Sequence, residues 1–231
     1  MAMELETIVP FGRSLDEYIK MFNLTDIDLK QRLLGVGDGP ASFNAEATQL
    51  GYSVTSIDPI YQFSAVEILS RFHAVVDSIM GQIKASPDDW VWSYHHSLDD
   101  LRKNRVKAIH TFINDYETGK TNGRYVIDAL PHLTQLNQTY DLAVCSHFLF
   151  LYSEQLDYRF HLESIQAMLR VSREVRIFPI LTLMRQRSPH LDPVMQALAD
   201  QGYALTIKKV PYEFQKGGNE MLMITTERKH D

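Results

Sequence analysis

Gly35, Gly37 and Gly39 stand at alternate positions in QRLLGVGDGPASF, and Asp58 ends the next apolar run, YSVTSID. Residues without side chains let backbone approach a ligand closely and adopt unusual φ/ψ. A carboxylate at the end of a second strand can accept hydrogen bonds from ribose hydroxyls, and Asp58 follows Gly35 at about the 20-residue distance which that role requires. The combination points to a nucleoside ligand held at the end of a strand. The glycines could instead serve only a tight strand-to-helix turn, but the strand, helix and acid around them weigh against that. The dinucleotide fingerprint needs a third glycine where this chain has Pro40, and the loop offers no basic residue to a pyrophosphate. A nucleoside without phosphates fits better, and a nicotinamide-dependent oxidoreductase is the alternative.

These residues need a frame of strands and helices. SLDEYIKMF opens with Ser14 and has Glu17 three residues later, the capping-box pattern of a first helix. RLLGV reads as a buried strand, residues 40 to 50 as a helix with Pro40 at its first position and Gly51 just past its end, and YSVTSID as the second strand. RYVIDAL, YDLAVCS, EVRIFPI, YALTIKKV and EMLMITT supply five more strands, with helices over DYRFHLESIQAMLRVS and LDPVMQALADQG. Glycines in PYEFQKGGN suit an antiparallel turn between the last two strands. The expected fold is α/β: a doubly wound, mostly parallel seven-stranded sheet with a C-terminal antiparallel pair.

The segment 62–123 is longer than a simple crossover needs. Ala65, Leu69, Phe72, Val76, Ile79 and Ile83 recur at helical spacing, as do Leu98, Leu101, Ile109, Phe112 and Tyr116. Ser97 can cap the second of these helices and Gly119 lies near its end. No Pro/Gly/Ser-rich linker isolates the segment, so it reads as a helical insertion within one domain spanning 1–231.

At this point the chain resembles the class I S-adenosylmethionine-dependent methyltransferases, through LLGVGDGPASF, VTSIDPIY, YDLAVCSHFLFLY and the terminal strand pair. More narrowly, GDGPASFNAE, CSHFLFLYSEQL, EVRIFPILTL and YEFQKGGNEMLMI are similar to a largely uncharacterised bacterial group of methyltransferase-like proteins, across nearly the whole chain. The resemblance implies S-adenosylmethionine as cofactor. It places Gly35, Gly37 and Gly39 under the methionine and ribose, and Asp58 on the ribose hydroxyls. Pro59, Ile60 and Tyr61 would lie beside the adenine, and Asp128, Ala129 and Leu130 near its edge. Ser146 and His147 would border the methionine and the acceptor pocket. The chain departs from the pattern at Leu33, where many members carry an acid; Asp38 is the candidate substitute. A cofactor-binding module without catalysis is the third reading, motivated by Leu33 and the lack of an evident base.

His147 can orient an acceptor or take its proton, or be a hydrogen-bonded pocket histidine. Methyl transfer from a sulfonium mainly needs alignment and exclusion of water, with a base only for an acceptor that arrives protonated. His95 and His96 are adjacent, poor geometry for one metal, and the single Cys145 excludes a multi-cysteine zinc site, so no metal is expected. A formal charge of −6 argues against general affinity for nucleic acid or anionic membranes. No apolar run reaches the roughly 20 residues that span a bilayer, and MAMELETIVP lacks the features of a signal peptide, so the expected location is the cytoplasm. The insertion leaves the sheet where the cofactor should bind. It is therefore expected to cover an acceptor pocket for a small molecule, with Trp90, Trp92, Tyr94 and His95 as wall residues. A homodimer surface on the same helices is the competing expectation.

Overall fold

The structure is a computed structural model and describes residues 9–225. Seven strands form one sheet: β1 (Arg32–Val36), β2 (Ser53–Ile57), β3 (Tyr125–Val126), β4 (Tyr140–Ser146), β5 (Ser172–Phe178), β6 (Ala204–Lys209) and β7 (Glu220–Thr225). Their order is β3-β2-β1-β4-β5-β7-β6. The first five run parallel, and β7 lies antiparallel between β5 and β6. This is the mostly parallel sheet with a C-terminal antiparallel pair that the strand pattern predicts. The chain leaves β1 outward to β2 and β3, then returns to place β4 on the other side of β1. That reversal opens a crevice beyond the carboxyl ends of β1 and β4, where open α/β sheets take ligands.

Helices α1 (Leu15–Met21), α2 (Asp26–Leu29) and α3 (Phe43–Gln49) belong to the N-terminal half. The capping box of α1 forms as predicted, with Ser14 and Glu17 exchanging bonds. Helix α3 starts at Phe43 rather than at Pro40, because Gly39 has a φ of +54° and the chain is still turning at Pro40 and Ala41. Gly51, with φ of +84°, follows its end as expected. The third strand is also shorter than RYVIDAL: only Tyr125 and Val126 pair with β2, and Asp128 then folds its carboxylate onto the amides of Ala129 and Thr134.

Two long helices, α4 (Ala65–Ala85) and α5 (Leu98–Thr121), fill the segment between β2 and β3. Ser64 and Ser97 cap their N-termini. Their apolar stripes meet each other: Ile68, Phe72, Val76, Ile79 and Ile83 pack with Leu101, Ile109, Phe112 and Tyr116. Gly119 lies near the end of α5 as expected, in its last turn, where a Cβ would fall 2.3 Å from the Tyr125 ring; Gly123, with φ of +70°, follows the helix. Helices α6 (Tyr158–Val171) and α7 (Leu191–Asp200) complete the layers and pack with the sheet in one apolar cluster. Among the described residues no helix is long and apolar enough to cross a membrane.

Candidate active site

The glycine loop divides its work between core and crevice. Gly35 faces inward: a Cβ there would fall 1.8 Å from Asp38 Oδ2, so this glycine makes room for a buried carboxylate rather than for a ligand. Tyr18 donates its hydroxyl to Asp38 Oδ1 at 2.7 Å, and Ser56 donates to Oδ2 at 2.6 Å. Burial pushes the Asp38 carboxyl up to about 7, with the nearby Asp58 adding to the rise while the two hydroxyls oppose it. Leu33, where an acid was expected, is buried in the core below. Gly37 and Gly39 have φ of +66° and +54°, the left-handed region, and both border the crevice.

Asp58 sits on the floor of a cleft of about 480 Å³, within the range of small-molecule sites. It caps the 3₁₀ turn Pro59–Gln62, accepting from Ile60 N on Oδ1 and from Gly39 N on Oδ2, each at 2.8 Å. Burial raises its pKa against those two donors. A carboxylate has about four acceptor positions, so each oxygen keeps capacity for a ligand hydroxyl. Pro59, Ile60, Asp128, Ala129 and Leu130 line the same cleft. Tyr61 does not. The turn rotates its side chain into the core, where it is fully buried against Phe112, Tyr116 and Tyr125 and donates its hydroxyl to Gly39 O at 2.8 Å.

Beyond the glycines the cleft narrows to a neck bounded by Arg13, Gly37, Asp38, Ser146, His147 and Phe148. His147 has a φ of +50°, donates its amide to Phe178 O at 2.6 Å, and holds Nδ1 2.9 Å from Ser146 Oγ. Burial holds the His147 pKa well below the ordinary histidine value, and Arg13 and Arg105 lower it further, so the imidazole is neutral. If Nδ1 carries the proton toward Ser146 Oγ, Nε2 is an acceptor. The neck opens into an inner cavity of about 100 Å³ between the sheet end, α4 and α5, bordered by Arg13, His147, Trp90, Tyr152, Phe214 and Gln215 among others. Cleft and neck share Gly37, Gly39, Asp58 and Phe148, while neck and cavity share Phe11, Arg13 and His147. Val9 borders all three, so the spaces form a row of adjoining pockets, here the channel.

Helix α4 walls both ends of it, with Arg71, Ala74 and Val75 in the cleft and Ile79 and Ile83 in the cavity. Of the four expected wall residues only Trp90 reaches the cavity. Trp92 stands edge-on to Phe214, Tyr94 hydrogen-bonds Asp16, and His95 is buried against Glu17. Sequence reasoning missed Glu17 as more than a cap. Its carboxylate takes a two-pronged bond from Arg105 (2.7 Å each) and a bond from Tyr212, with His95 Nε2 3.3 Å away. Arg13, Tyr18 and the strap Val9–Pro10–Phe11 along the channel were missed as well; only the position of Arg13 beside the capping box hinted at any of them. Among the described residues no cluster of three His, Cys, Asp or Glu side chains could hold a metal.

The strand order, with β7 inserted antiparallel beside β5 and an acid-capped glycine loop at the switch point, is the Rossmann-like fold of the class I methyltransferases. The chain belongs to one family with an uncharacterized protein of Methanocaldococcus jannaschii, to which it is 35% identical over 223 residues, covering 96% of this chain and 98% of that protein. No protein-family model matches it. Solved structures similar to the chain include magnesium protoporphyrin IX methyltransferase from Synechocystis PCC 6803 with bound S-adenosylmethionine (14% identity, 92% of this chain and 78% of that one, TM-score 0.47). The methyltransferase domain of bacterial Hen1 is another (11%, 91% and 96%, TM-score 0.48). A third is an S-adenosylmethionine-dependent methyltransferase from Methanosarcina mazei (12%, 87% and 96%, TM-score 0.43). At such identities none of them speaks to this chain's substrate.

Proposed function

We propose that this chain is an S-adenosylmethionine-dependent methyltransferase acting on a small molecule. The observation that carries the reading is the row of adjoining spaces: an acid with unused acceptor positions on the cleft floor, a neck with a neutral histidine beside it, and a small inner cavity next to the neck. The residues fit the cofactor. Asp58 would hold the ribose hydroxyls, Gly37 and Gly39 would let the backbone pass beneath, and Pro59, Ile60, Asp128, Ala129 and Leu130 would flank the adenine. When bound, the cofactor supplies an activated methyl group on a sulfonium. The chain's own part is to align an acceptor in the neck, exclude water with the strap and α4, and offer His147 as a neutral acceptor for a proton. A cavity this narrow suits a small molecule and not a folded macromolecule.

Isothermal titration with S-adenosylmethionine, S-adenosylhomocysteine and NAD tests the reading. Asp58→Asn turns one acceptor oxygen into a donor, and losing a charge-assisted hydrogen bond costs roughly 1.5–3 kcal/mol, at least tenfold in affinity. Binding of NAD alone, or an unchanged affinity in Asp58→Asn, would refute it. An acceptor screen with labelled methyl donor separates an enzyme from a binding module without catalysis.

A further inference from the structure

Arg13 borders both the neck and the inner cavity, and its hydrogen bonds among the described residues do not account for its charge. Its Nη1 donates to Phe11 O at 2.9 Å, its buried Nε has no hydrogen-bond partner, and among the described residues no carboxylate pairs with it. Burial and the neighbouring Arg105 both lower its pKa, which marks a cation placed where charge is costly. Arg105 is different, because Glu17 grips it through two bonds. His95 and His147 are both shifted toward the neutral form by burial. Glu17 is ion-paired to Arg105, so among the described residues Arg13 has no carboxylate of its own.

The surroundings say where an anion would sit. Among the described residues two guanidinium groups and no carboxylate border the inner cavity, whose remaining wall is mainly apolar, with Trp90 and Phe214 stacked at 4.8 Å between ring centres. The carboxylates of the neck are held elsewhere: Asp38 by Tyr18 and Ser56, Asp58 by two backbone amides. A buried guanidinium with free donors recognises a carboxylate through parallel N–H bonds.

We infer that the inner cavity binds a small carboxylic acid with an apolar body, its carboxylate on Arg13 and its body against Trp90 and Phe214. The inference deepens the methyltransferase reading by naming the class of acceptor, and it rests on that reading only for the word acceptor.

Benzoate and its neutral isostere benzamide, titrated into the unmodified protein, are the probes. Benzoate is expected to bind at least about tenfold more tightly, and Arg13→Met to abolish that preference. Trp90→Ala should weaken both probes. Equal affinities, no binding of either, or a preference that survives Arg13→Met would overturn the inference. Because the benzoate comparison needs no variant, it stands even if Arg13→Met fails to fold. A second arm addresses the other carboxylate that could reach Arg13, that of the cofactor's methionine. If Arg13→Met weakens S-adenosylhomocysteine but not 5′-methylthioadenosine, which lacks that carboxylate, Arg13 serves the cofactor and the inference falls. Selective benzoate binding by a chain that binds no S-adenosylmethionine would refute the proposed function and leave the anion site standing.

Discussion

Asp38 titrates in a place where its charge is expensive, and the cost should be measurable as a pH-dependent difference in stability. Its carboxyl rises from the ordinary 3.8 to about 7 in the folded chain. Between those values the native state keeps a proton that the unfolded state has released. Stability contributed by this group is therefore full below pH 3.8, falls as pH rises, and is gone above about 7. At 1.36 kcal/mol per pKa unit the whole window amounts to roughly 4 kcal/mol, of which roughly 3 lies between pH 5 and 8. His147 works in the opposite sense, because its folded pKa is depressed and the unfolded chain takes up protons first as pH falls. Wild-type stability alone mixes the two. The informative quantity is the difference between Asp38→Asn and wild type, from urea denaturation at pH 5 and pH 8. Asparagine carries no charge at either pH, so the variant should gain roughly 3 kcal/mol relative to wild type on going from pH 5 to pH 8. A difference that does not change with pH would mean that Asp38 is ionised throughout, and that burial is not what sets its charge.

Further perturbations probe the packing beneath the site. Gly35→Ala forces a methyl into the Asp38 carboxylate and should cost about 1–3 kcal/mol in urea denaturation, whereas Gly81→Ala, with nothing within 4 Å, should stabilise α4 by about 1 kcal/mol. A Gly35→Ala chain as stable as wild type would remove the packing role given to that glycine. Glu17→Gln leaves the Arg105 guanidinium buried without its counter-charge, and thermal unfolding should report a loss of about 3–5 kcal/mol. A loss below about 1 kcal/mol would show that water or another group reaches Arg105.

The strands, the two long helices and the Gly37–Gly39–Asp58 arrangement were legible because each depends on local pattern: period-two or buried apolar runs, helical stripes, and a loop between them. Tyr61 was misread because its neighbours Pro59 and Ile60 do reach the cleft, and only the 3₁₀ turn after Asp58 decides which way the next side chain points. Gly35 was misread for a similar reason, since three alternate glycines look alike until the Asp38 side chain folds back over the first. Arg13 and the inner cavity were illegible in principle. The cavity is assembled from the strap, α4, the connector at Trp90, α5, the segment after β4 and the turn before β7, and no local signal ties those pieces together. Ser14 and Glu17 did announce a cap, but the same carboxylate's bonds to Arg105 and Tyr212 come from chain far away.

Those distant bonds have a consequence for how the molecule acquires its shape. Glu17 bonds Arg105 across 88 residues and Tyr212 across 195. Closing loops of that size costs entropy before any contact repays it, and contacts of high sequence separation slow folding. The carboxylate can be fully satisfied only after α1, α5 and the turn before β7 have all arrived. Pairing β1 with β4 carries the same kind of cost, since Arg32 bonds Asp141 across 109 residues. The Arg105 and Phe214 side of the inner cavity therefore takes its shape only with the tertiary structure as a whole, and no fragment lacking α1, α5 or the turn before β7 can complete it.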